Sequence, residues 1–316
     1  MTTKVLITGI AGFIGSHVVD RLSRRKFDIF GMDDLSSGKM ENLEGNENKV
    51  HDVVLESIAN PMAVMQTFDR FKPDLVIHLA AQPSLLKSIK NPDYDALVNV
   101  IGTINILRAC EAYQVERLIF SSTSAITQDA VVSEEHSANL SAPSSPYGMS
   151  KRCAEGYIDL LWGYKPGATI LRFANVYGPR QVPLGENQLI PRVIRHYLYG
   201  DSFQIYGDGL QSRDFIYVED VADLIYKIAT SNNPGRMTMN VATGKNTTVL
   251  GIVEMVQEVI GIDIPAIHVE SKDDRLHVKM NIGKADMFVG WKATTSIKDG
   301  IKKTVGWWKE QDGSKS

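Results

Sequence analysis

Short apolar runs alternate with amphipathic segments through the first half of the chain. Strands are predicted at Val5–Ile7, Phe27–Met32, Lys49–Val53, Asp74–Ala81 and Arg117–Ser121. Uninterrupted apolar runs of this length are typical of strands that are buried on both faces of a sheet. Apolar residues at helical spacing lie between these runs, as in Pro61–Phe71 and Pro92–Tyr113. The alternation of buried strands and helices predicts an α/β fold built on a doubly wound parallel sheet.

The second half of the chain has a different character. Residues 175–209 are richer in proline, glycine and aromatic residues, and a polar turn is predicted at 207–215. A helix is predicted at Val218–Ala229, a strand at Met237–Val241 and an amphipathic helix at Val249–Ile260. We predict two lobes, between which the chain crosses more than once. The larger comprises residues 1–173 plus 214–243, and a smaller α/β lobe for substrate comprises 174–213 plus 244–316.

The composition excludes several kinds of protein and several kinds of binding partner. With 316 residues, the chain is long enough for one large or two modest domains. Its 34 basic and 37 acidic residues give a net charge of −3, which argues against nucleic acid or an anionic membrane as a partner. No apolar stretch approaches the roughly 20 residues of a membrane span. Cys110 and Cys153 follow no metal or redox spacing and indicate a reducing compartment, so we expect a cytoplasmic protein.

Three glycines follow the first predicted strand at regular spacing. Gly9, Gly12 and Gly15 form the pattern G-x-x-G-x-x-G and are followed by a segment with helical periodicity. Glycines in such a turn let backbone N–H groups approach a phosphate, and the start of the next helix offers unpaired amides to a pyrophosphate. A glycine loop can also serve only to pack a helix closely on a strand. The strand–turn–helix context favours a dinucleotide site of the Rossmann type.

An acidic residue ends the second predicted strand. Asp33 lies 18 residues after Gly15, close to the ~20 residues at which an acid can accept hydrogen bonds from the adenosine ribose. Its charge and that of Asp34 beside it repel the extra phosphate of NADP, and no arginine stands at this strand end. The sequence therefore predicts NAD as the cofactor. At the end of the third strand, Asp52 is a candidate contact for the adenine.

Tyr147 and Lys151 lie four residues apart on a helix predicted to start after Pro143–Pro146, so they share one face. The spacing alone is weak, because a chain with 11 tyrosines contains roughly one such pair by chance. A solvated helix face is the alternative interpretation. A nearby ammonium and the cationic nicotinamide would both favour the phenolate of a tyrosine, whose pKa is usually ~10. Tyr147 is thus a candidate base that takes a hydroxyl proton while hydride leaves the same carbon to NAD.

Hydroxyl side chains occupy the end of the fifth predicted strand. Because the carboxyl ends of parallel strands meet at one edge of a sheet, Ser121–Ser124 should face the same crevice as Gly9 and Asp33. Thr123 or Ser124 could hydrogen-bond the reacting oxygen. Hydroxyls at such positions also commonly cap helices and turns.

Six motifs, in order along nearly the whole chain, resemble those of one family. They are Thr8–His17, His78–Gln82, Ser121–Thr123, Ser145–Lys151, Arg172–Gln181 and Arg213–Val218. Together they resemble the extended short-chain dehydrogenase/reductase superfamily and, within it, the NAD-dependent nucleotide-sugar epimerase/dehydratase family. The resemblance implies that Thr123, Tyr147 and Lys151 form the catalytic triad and that Asn99 supports the network on the cofactor side.

The residues and the resemblance together imply two sets of binding residues. The cofactor set comprises Gly9, Gly12, Phe13, Ile14, Gly15, Asp33, Asp34, Asp52, Val53, Leu79, Ala80, Ala81, Gln82, Asn99, Ser121, Tyr147 and Lys151. The set for a nucleotide sugar comprises Ser84, Thr123, Ser124, Asn175, Gln188, Leu189, Tyr206, Arg213 and Arg275. The assignment of Arg213 to the diphosphate is also supported by its chemistry, since a planar guanidinium suits phosphate oxygens. Arg275 lies about four residues from the register of the family's Arg-x-Gly-Asp motif.

The residues that follow Thr123 bear on the reaction. Family members that dehydrate sugars have an Asp-Glu pair there and the related decarboxylases have a glutamate, whereas this chain has Ser124-Ala125. Without an extra acid or base, the resemblance implies reversible oxidation at one carbon, as in a 4-epimerase. Its expected substrate is a UDP-hexose such as UDP-glucose or UDP-galactose, or the N-acetyl or uronate form. The alternatives are a 4,6-dehydratase, a 4-keto-sugar reductase and a non-catalytic member of the family. The intact Tyr147 and Lys151 argue against the non-catalytic member.

An assembly is also implied. Members of this family usually dimerise through two helices of each subunit, and by resemblance these would be Pro92–Tyr113 and Tyr147–Trp162. We therefore expect a homodimer.

Overall fold

The structure is a computed structural model that describes residues 2–25, 27–134, 139–162, 167–183, 188–231, 235–262, 266–270 and 277–313. Its strands are β1 (Thr3–Thr8), β2 (Phe27–Asp33), β3 (Val50–Leu55), β4 (Leu75–His78), β5 (Arg117–Thr123), β6 (Val131–Val132), β7 (Ala168–Phe173), β8 (Asn175–Tyr177), β9 (Gln204–Tyr206), β10 (Ser212–Tyr217), β11 (Met237–Val241), β12 (Asn246–Thr248), β13 (Ile267–Val269) and β14 (Lys279–Met280). Its α-helices are α1 (Phe13–Leu22), α2 (Pro61–Phe71), α3 (Leu85–Lys90), α4 (Pro92–Ala96), α5 (Gly102–Ala112), α6 (Pro146–Leu161), α7 (Leu189–Leu198), α8 (Val218–Thr230), α9 (Val249–Ile260), α10 (Lys284–Val289) and α11 (Ile297–Gly313). Among the described helices, none combines the length and the apolar character that crossing a membrane requires.

Seven parallel strands form one large sheet in the order β11-β7-β5-β4-β1-β2-β3. The strand order reverses at β1, which has β2 and β3 on one side and β4, β5, β7 and β11 on the other. The doubly wound parallel sheet predicted from the sequence is therefore confirmed. In such a sheet, ligands bind at the carboxyl ends of the strands beside the point of reversal. The ends of β1, β2, β4 and β5 meet at this edge.

The apolar runs of the strands are explained by cores on both faces of this sheet. Val5 and Ile7 of β1 belong to the core that α1 and α8 cover, whereas Leu6 between them belongs to the core under α2, α5 and α6. Successive side chains of a strand point to opposite faces, so a strand covered on both sides needs an unbroken apolar run.

The polar turn predicted at 207–215 is wrong in its second half. Residues from Ser212 onward form β10, which pairs in parallel with β8 and antiparallel with β12. The polar character of this segment misled the prediction, because Arg213 lies on a short three-stranded sheet whose partner strand is also polar, with Thr247 opposite Arg213. The strand carries Arg213 to the ligand cavity described below.

A third core lies among α7, α9 and α11. It includes Ile190, Val193 and Tyr197 of α7, together with Val253 and Ile301 from the other two helices. The late segment around α10 instead adds Ala285 and Trp291 to the core of the large sheet. The proposed division of the chain into two lobes remains a prediction.

The long helix predicted at Pro92–Tyr113 forms with a local change of winding. Helices α4 and α5 are joined without a break by a π-helical turn, Leu97–Ile101, which contains Asn99. Such turns insert one extra residue into a helix and occur frequently at functional sites. Here the turn carries Asn99 to the end of β4, where its side chain bonds to Gln82.

Candidate active site

The glycine turn packs too closely for side chains. Gly9 has a φ of +73°, and a Cβ added to it would lie 2.8 Å from the backbone nitrogen of Ala80. A Cβ added to Gly15 would lie 2.0 Å from the carbonyl oxygen of Gly9. The N-cap of α1 is Gly12, which offers no side chain to the first amides of the helix. These amides therefore remain for a ligand, as a pyrophosphate site requires.

Asp33 ends β2 beside the glycine turn. Its Oδ2 accepts a hydrogen bond from the backbone nitrogen of Ala11 and its Oδ1 accepts one from that of Leu35, each at 2.9 Å. Burial raises the pKa of this carboxyl, and the two backbone hydrogen bonds act in the opposite direction. Asp33 thus joins the turn to the end of β2, and both Asp33 and Asp34 line the adjoining cleft.

This cofactor cleft is lined by most of the residues that the sequence assigned to the cofactor. They are Gly9, Gly12, Phe13, Ile14, Gly15, Asp33, Asp34, Leu79, Ala80, Ala81 and Gln82. Ser84 and Gln188, which were predicted to bind the substrate, line the same cleft. The free helix amides, the buried acid and the close-packed glycines fit a dinucleotide.

Asp52 and Val53 are not brought to this cleft. Both lie inside β3 rather than at its end, and Asp52 forms an ion pair with Arg70. Directly after β3, Glu56 and Ile58 line the cleft. The predicted strand ended two residues too early, at Val53 and not at Leu55, so the expected adenine contact was placed before the residues that line the cleft. A role for Asp52 and Val53 at the cofactor remains a prediction.

Helix α6 starts against the loop that follows β5. The side chain of Ser145 caps the helix by accepting a hydrogen bond from the backbone nitrogen of Gly148, and Pro146 occupies the first turn. A Cβ added to Gly148 would lie 2.2 Å from the carbonyl oxygen of Ala125. The side chains of Tyr147 and Thr123 form a hydrogen bond at this junction. Backbone contact therefore holds the start of α6, with Tyr147, close to the end of β5, with Thr123.

Lys151 lies one turn further along α6 and is buried. Its Nζ donates a hydrogen bond of 2.8 Å to the carbonyl oxygen of Ser121 and lies 4.6 Å from the centre of the Phe120 ring. Burial lowers the pKa of Lys151 to about 8, while the negative charges of Asp95 and Glu155 raise it. The hydroxyl of Ser121 donates to the carbonyl oxygen of His78, so Ser121 contributes its backbone rather than its side chain to this site.

The pKa of Tyr147 differs from the expectation. The sequence predicted that a nearby ammonium would favour the phenolate, yet burial raises the pKa of Tyr147 to about 12. The hydrogen bond with Thr123 lowers it and the charge of Asp95 raises it. In the protein alone, burial is therefore stronger than any help from Lys151, whose ammonium is directed to a backbone carbonyl. The cationic nicotinamide remains as the group that would favour the phenolate.

The side chain of Asn99 connects the segment after β4 to α6, and its supporting role on the cofactor side remains a prediction. Its Oδ1 accepts a hydrogen bond of 2.8 Å from the backbone nitrogen of Gln82, and its Nδ2 lies 3.1 Å from Ser150 Oγ on α6. Gln82 in turn donates through Nε2 to Asp95 Oδ1 at 2.8 Å and accepts from the backbone nitrogen of Ser84. One polar network thus connects the end of β4, the π-helical turn and α6.

Asp95 and Arg180 are charged residues near the cofactor cleft that the sequence reasoning did not single out. Asp95 is buried in the network just described, and Arg180 lines the cofactor cleft while donating to Asp20 Oδ2 at 2.7 Å. Arg180 was visible only as part of a family motif, and its partner lies 160 residues away. Asp95 gave no local signal, because it occupies an ordinary position on a helix.

A second cavity, of about 940 Å³, opens beside the cofactor cleft, and Pro83 lines both. Of the residues assigned to the reaction or to the substrate, Thr123, Ser124, Tyr147, Asn175, Leu189, Tyr206 and Arg213 line this sugar cavity. Arg192, which the sequence reasoning did not single out, lines it as well. Arg275 lies outside the described residues. The phenol of Tyr147 therefore reaches a space large enough for a nucleotide sugar.

Comparisons with known proteins agree with this architecture. A putative UDP-glucose 4-epimerase from Methanocaldococcus jannaschii is 36% identical over 317 residues, covering 98% of this chain and 99% of that protein. The crystal structure of a UDP-glucose 4-epimerase with UDP-glucose, from Thermotoga maritima, superimposes with a TM-score of 0.90 at 33% identity, covering 98% and 99% of the two chains. A UDP-glucose 4-epimerase complex with NAD, from Thermus thermophilus, gives a TM-score of 0.85 at 32% identity and covers 97% and 99%.

The family profile matches most of the chain. Residues 5–242 match the NAD dependent epimerase/dehydratase family, and this range contains the glycine turn, Asp33, Thr123, Tyr147 and Lys151. The chain therefore belongs to the NAD dependent epimerase/dehydratase family.

Proposed function

We propose that this protein is an NAD-dependent 4-epimerase that inverts C4 of a UDP-hexose, with UDP-glucose and UDP-galactose as the first candidates. The observation that carries the proposal is the phenol of Tyr147, which hydrogen-bonds Thr123 at the edge of the sugar cavity beside the cofactor cleft. The names of the relatives and of the solved structures support the nucleotide and the sugar position. The N-acetyl and uronate forms of the sugar belong to the same proposal.

The chain supplies a proton acceptor and a site in which the sugar can turn. Tyr147 takes the proton of the C4 hydroxyl as the C–H bond at C4 breaks, and Thr123 orients the reacting oxygen. NAD held by the glycine turn and Asp33 would take up the hydride of C4 and give it back, which would make the reaction redox-neutral overall. Between the two transfers the 4-keto sugar turns over in the cavity and exposes its other face. Tyr147 then gives the proton back to the C4 oxygen, which now has the opposite configuration.

The residues beside Thr123 favour epimerisation over dehydration. Ser124 and Ala125 line the cavity next to Thr123 and bring no carboxylate that could move the protons of C5 and C6. The carboxylates among the described lining residues, Asp208 and Asp214, belong to the wall that carries Arg213. Asp214 Oδ1 is already occupied by the backbone nitrogen and hydroxyl of Thr243. A 4,6-dehydratase would need an acid and a base at the reacting sugar, so it is the second candidate.

The deciding experiment uses the enzyme as purified with a panel of nucleotide sugars, and chromatography of the products. We expect UDP-glucose and UDP-galactose, or their N-acetyl or uronate counterparts, to interconvert without added reductant or oxidant. A 4-keto-6-deoxy sugar as the main product would overturn the proposal in favour of a dehydratase. Net consumption of reduced cofactor would identify a reductase.

The pKa of Lys151 predicts how turnover depends on pH. Burial lowers this pKa from its usual range to about 8, so the side chain carries its charge below that pH and loses it above. We expect kcat to fall as the pH rises through about 8, measured with saturating substrate. The Lys151→Arg variant is the matched control, because a guanidinium stays charged throughout this range. Its profile should lack the fall at pH 8 whatever its maximum, and a fall retained there would assign it to another group.

Asp33 and Asp34 predict a strong preference for NAD. Both carboxylates line the cofactor cleft, where the 2′-phosphate of NADP would meet their charge. We expect NAD to bind at least about tenfold more tightly than NADP, since like-charge contact is costly even when partly screened. Calorimetric titration with both cofactors measures the ratio, and the Asp33→Asn variant should reduce it. Equal binding of the two cofactors by the unaltered protein would contradict this.

We propose that the protein forms a homodimer and acts in the cytoplasm. The helix surface formed by Leu97 and Ile101 on the π-helical turn and by Met149, Tyr157 and Leu160 on α6 is exposed, with Leu160 at 73%. Exposed apolar side chains gathered on neighbouring helices are typical of an interface between subunits. Light scattering should give twice the chain mass of 35.0 kDa, and Leu160→Glu should lower it. A monomer at working concentration would remove the proposal.

A further inference from the structure

Two carboxylates, Asp95 on α4 and Glu155 on α6, are buried near Lys151, each with 1% of its surface exposed. Glu155 has a cation of its own. Arg172 on β7 donates to Glu155 Oε1 through Nε at 3.0 Å and to Oε2 through a terminal nitrogen at 2.7 Å. Ser122 adds a further hydrogen bond to Oε1. The Glu155–Arg172 pair is therefore neutral as a unit and well satisfied.

Asp95 has no such partner. Its Oδ1 accepts from the side-chain amides of Gln82 and Asn99, at 2.8 and 3.0 Å, and both donors are uncharged. Its Oδ2 is buried, and in the part of the chain that the structure describes no donor bonds to it. A carboxylate removed from water is costly unless a charge of opposite sign lies close by. The geometry therefore calls for a cation near Asp95.

Lys151 is a buried cation that needs a negative charge nearby. Its Nζ is held by the carbonyl oxygen of Ser121 and the ring of Phe120, both uncharged. The other titratable groups around it are Tyr147 on its own helix, His78 on β4 and the Glu155–Arg172 pair. His78 is neutral, because burial and the charge of Lys151 lower its pKa to about 3. Among the charged groups just named, Lys151 and Asp95 are therefore the two whose charges are not yet balanced, and their signs are opposite.

We propose that Asp95 is the counter-ion of Lys151 and a positioning residue of the site, which keeps the buried ammonium charged and, together with Asn99, holds Gln82 at the wall of the cofactor cleft. Asp95 is absent from the described lining of both cavities, so it acts through Lys151 and not on the sugar. The catalytic part of this inference rests on the proposed function, whereas the pairing of the two buried charges does not. The direction of the pKa shifts agrees, since Asp95 raises the pKa of both Lys151 and Tyr147.

The first test is the pH profile of the Asp95→Asn variant, which removes the charge and keeps an acceptor for the two amides. Without the carboxylate, the pKa of Lys151 falls further below about 8, so the basic limb of kcat should move to lower pH by about one unit or more. Asp93→Asn is the matched control, because Asp93 lies on the same helix but is exposed. A lower maximum with an unmoved basic limb would mean that Asp95 is only structural and would overturn the proposal.

The second test needs no activity and is therefore independent of the proposed function. Lys151→Met leaves Asp95 buried without a cation, and its thermal midpoint should fall by about 5 °C or more. Adding Asp95→Asn to that variant removes the stranded charge, so the double variant should recover much of the loss. Losses that simply add would overturn the pairing of the two charges. Failure of every UDP-sugar assay together with recovery in the double variant would overturn the proposed function and leave the charge pairing standing.

Discussion

Replacing Tyr147 with phenylalanine is expected to lower kcat by a factor of about 10² to 10⁴, the usual contribution of a general base. The hydroxyl lost is the one that hydrogen-bonds Thr123 and reaches the sugar cavity. The cofactor cleft is lined by other residues, so NAD should remain bound in amounts close to those of the unaltered protein. The measurement pairs steady-state turnover with the NAD content of the purified protein.

Tyr157→Phe provides the matched control for this substitution. Tyr157 lies on the same helix and loses the same atom, but its side chain lines neither the cofactor cleft nor the sugar cavity. Its turnover should stay within about twofold of the unaltered protein. Unchanged turnover in Tyr147→Phe would show that another group takes the proton, and the mechanism proposed above would fail. Loss of NAD together with turnover would instead point to damage of the cofactor cleft.

Replacing Gly15 with alanine is expected to abolish tight binding of NAD and to destabilise the fold. The new Cβ would lie 2.0 Å from the carbonyl oxygen of Gly9 and 2.9 Å from that of Ile10, both of which are backbone atoms. The glycine turn must then move away from α1, which displaces the free amides at the helix start. We expect NAD affinity to fall more than about tenfold and the thermal midpoint to fall by about 2–10 °C, as overpacking of this kind costs about 1–3 kcal/mol.

Gly306→Ala tests whether the effect belongs to the turn. Gly306 lies inside α11, and a Cβ added there would meet no atom within 4 Å. Alanine is the better helix former by about 1 kcal/mol, so this variant should be equally or slightly more stable and should bind NAD normally. Tight NAD binding by Gly15→Ala would mean that the turn can relax, and the close packing described above would lose its importance for the cofactor.

The large sheet was readable from the sequence because its strands are covered on both faces. Each buried strand then needs an unbroken apolar run, and the predicted bounds of Met237–Val241 agree with β11. Helices with strong periodicity were equally readable, and Pro61–Phe71 and Val249–Ile260 have the predicted ends. The pattern of α11, with Ile297, Ile301, Val305 and Trp308 at helical spacing, was also present in the sequence but was not used.

Features that depend on distant partners could not be read in the same way. The pKa of Tyr147 is raised by desolvation in the folded chain, which the local spacing to Lys151 does not reveal. No residue type around Asn99 indicates a π-helical turn in the sequence. Polar strands such as β10 resemble turns, because their pairing is with other short polar strands and not with an apolar layer.

The contact between Gly148 and the backbone of Ala125 has a consequence for how such an enzyme can change. This close backbone packing holds the start of α6, which carries Tyr147, against the loop that follows Thr123. The far wall of the sugar cavity, built from Tyr206, Arg213 and Val278, is carried by other segments of the chain. New sugar preferences could therefore evolve, or be engineered, by altering that wall while the reactive corner stays rigid.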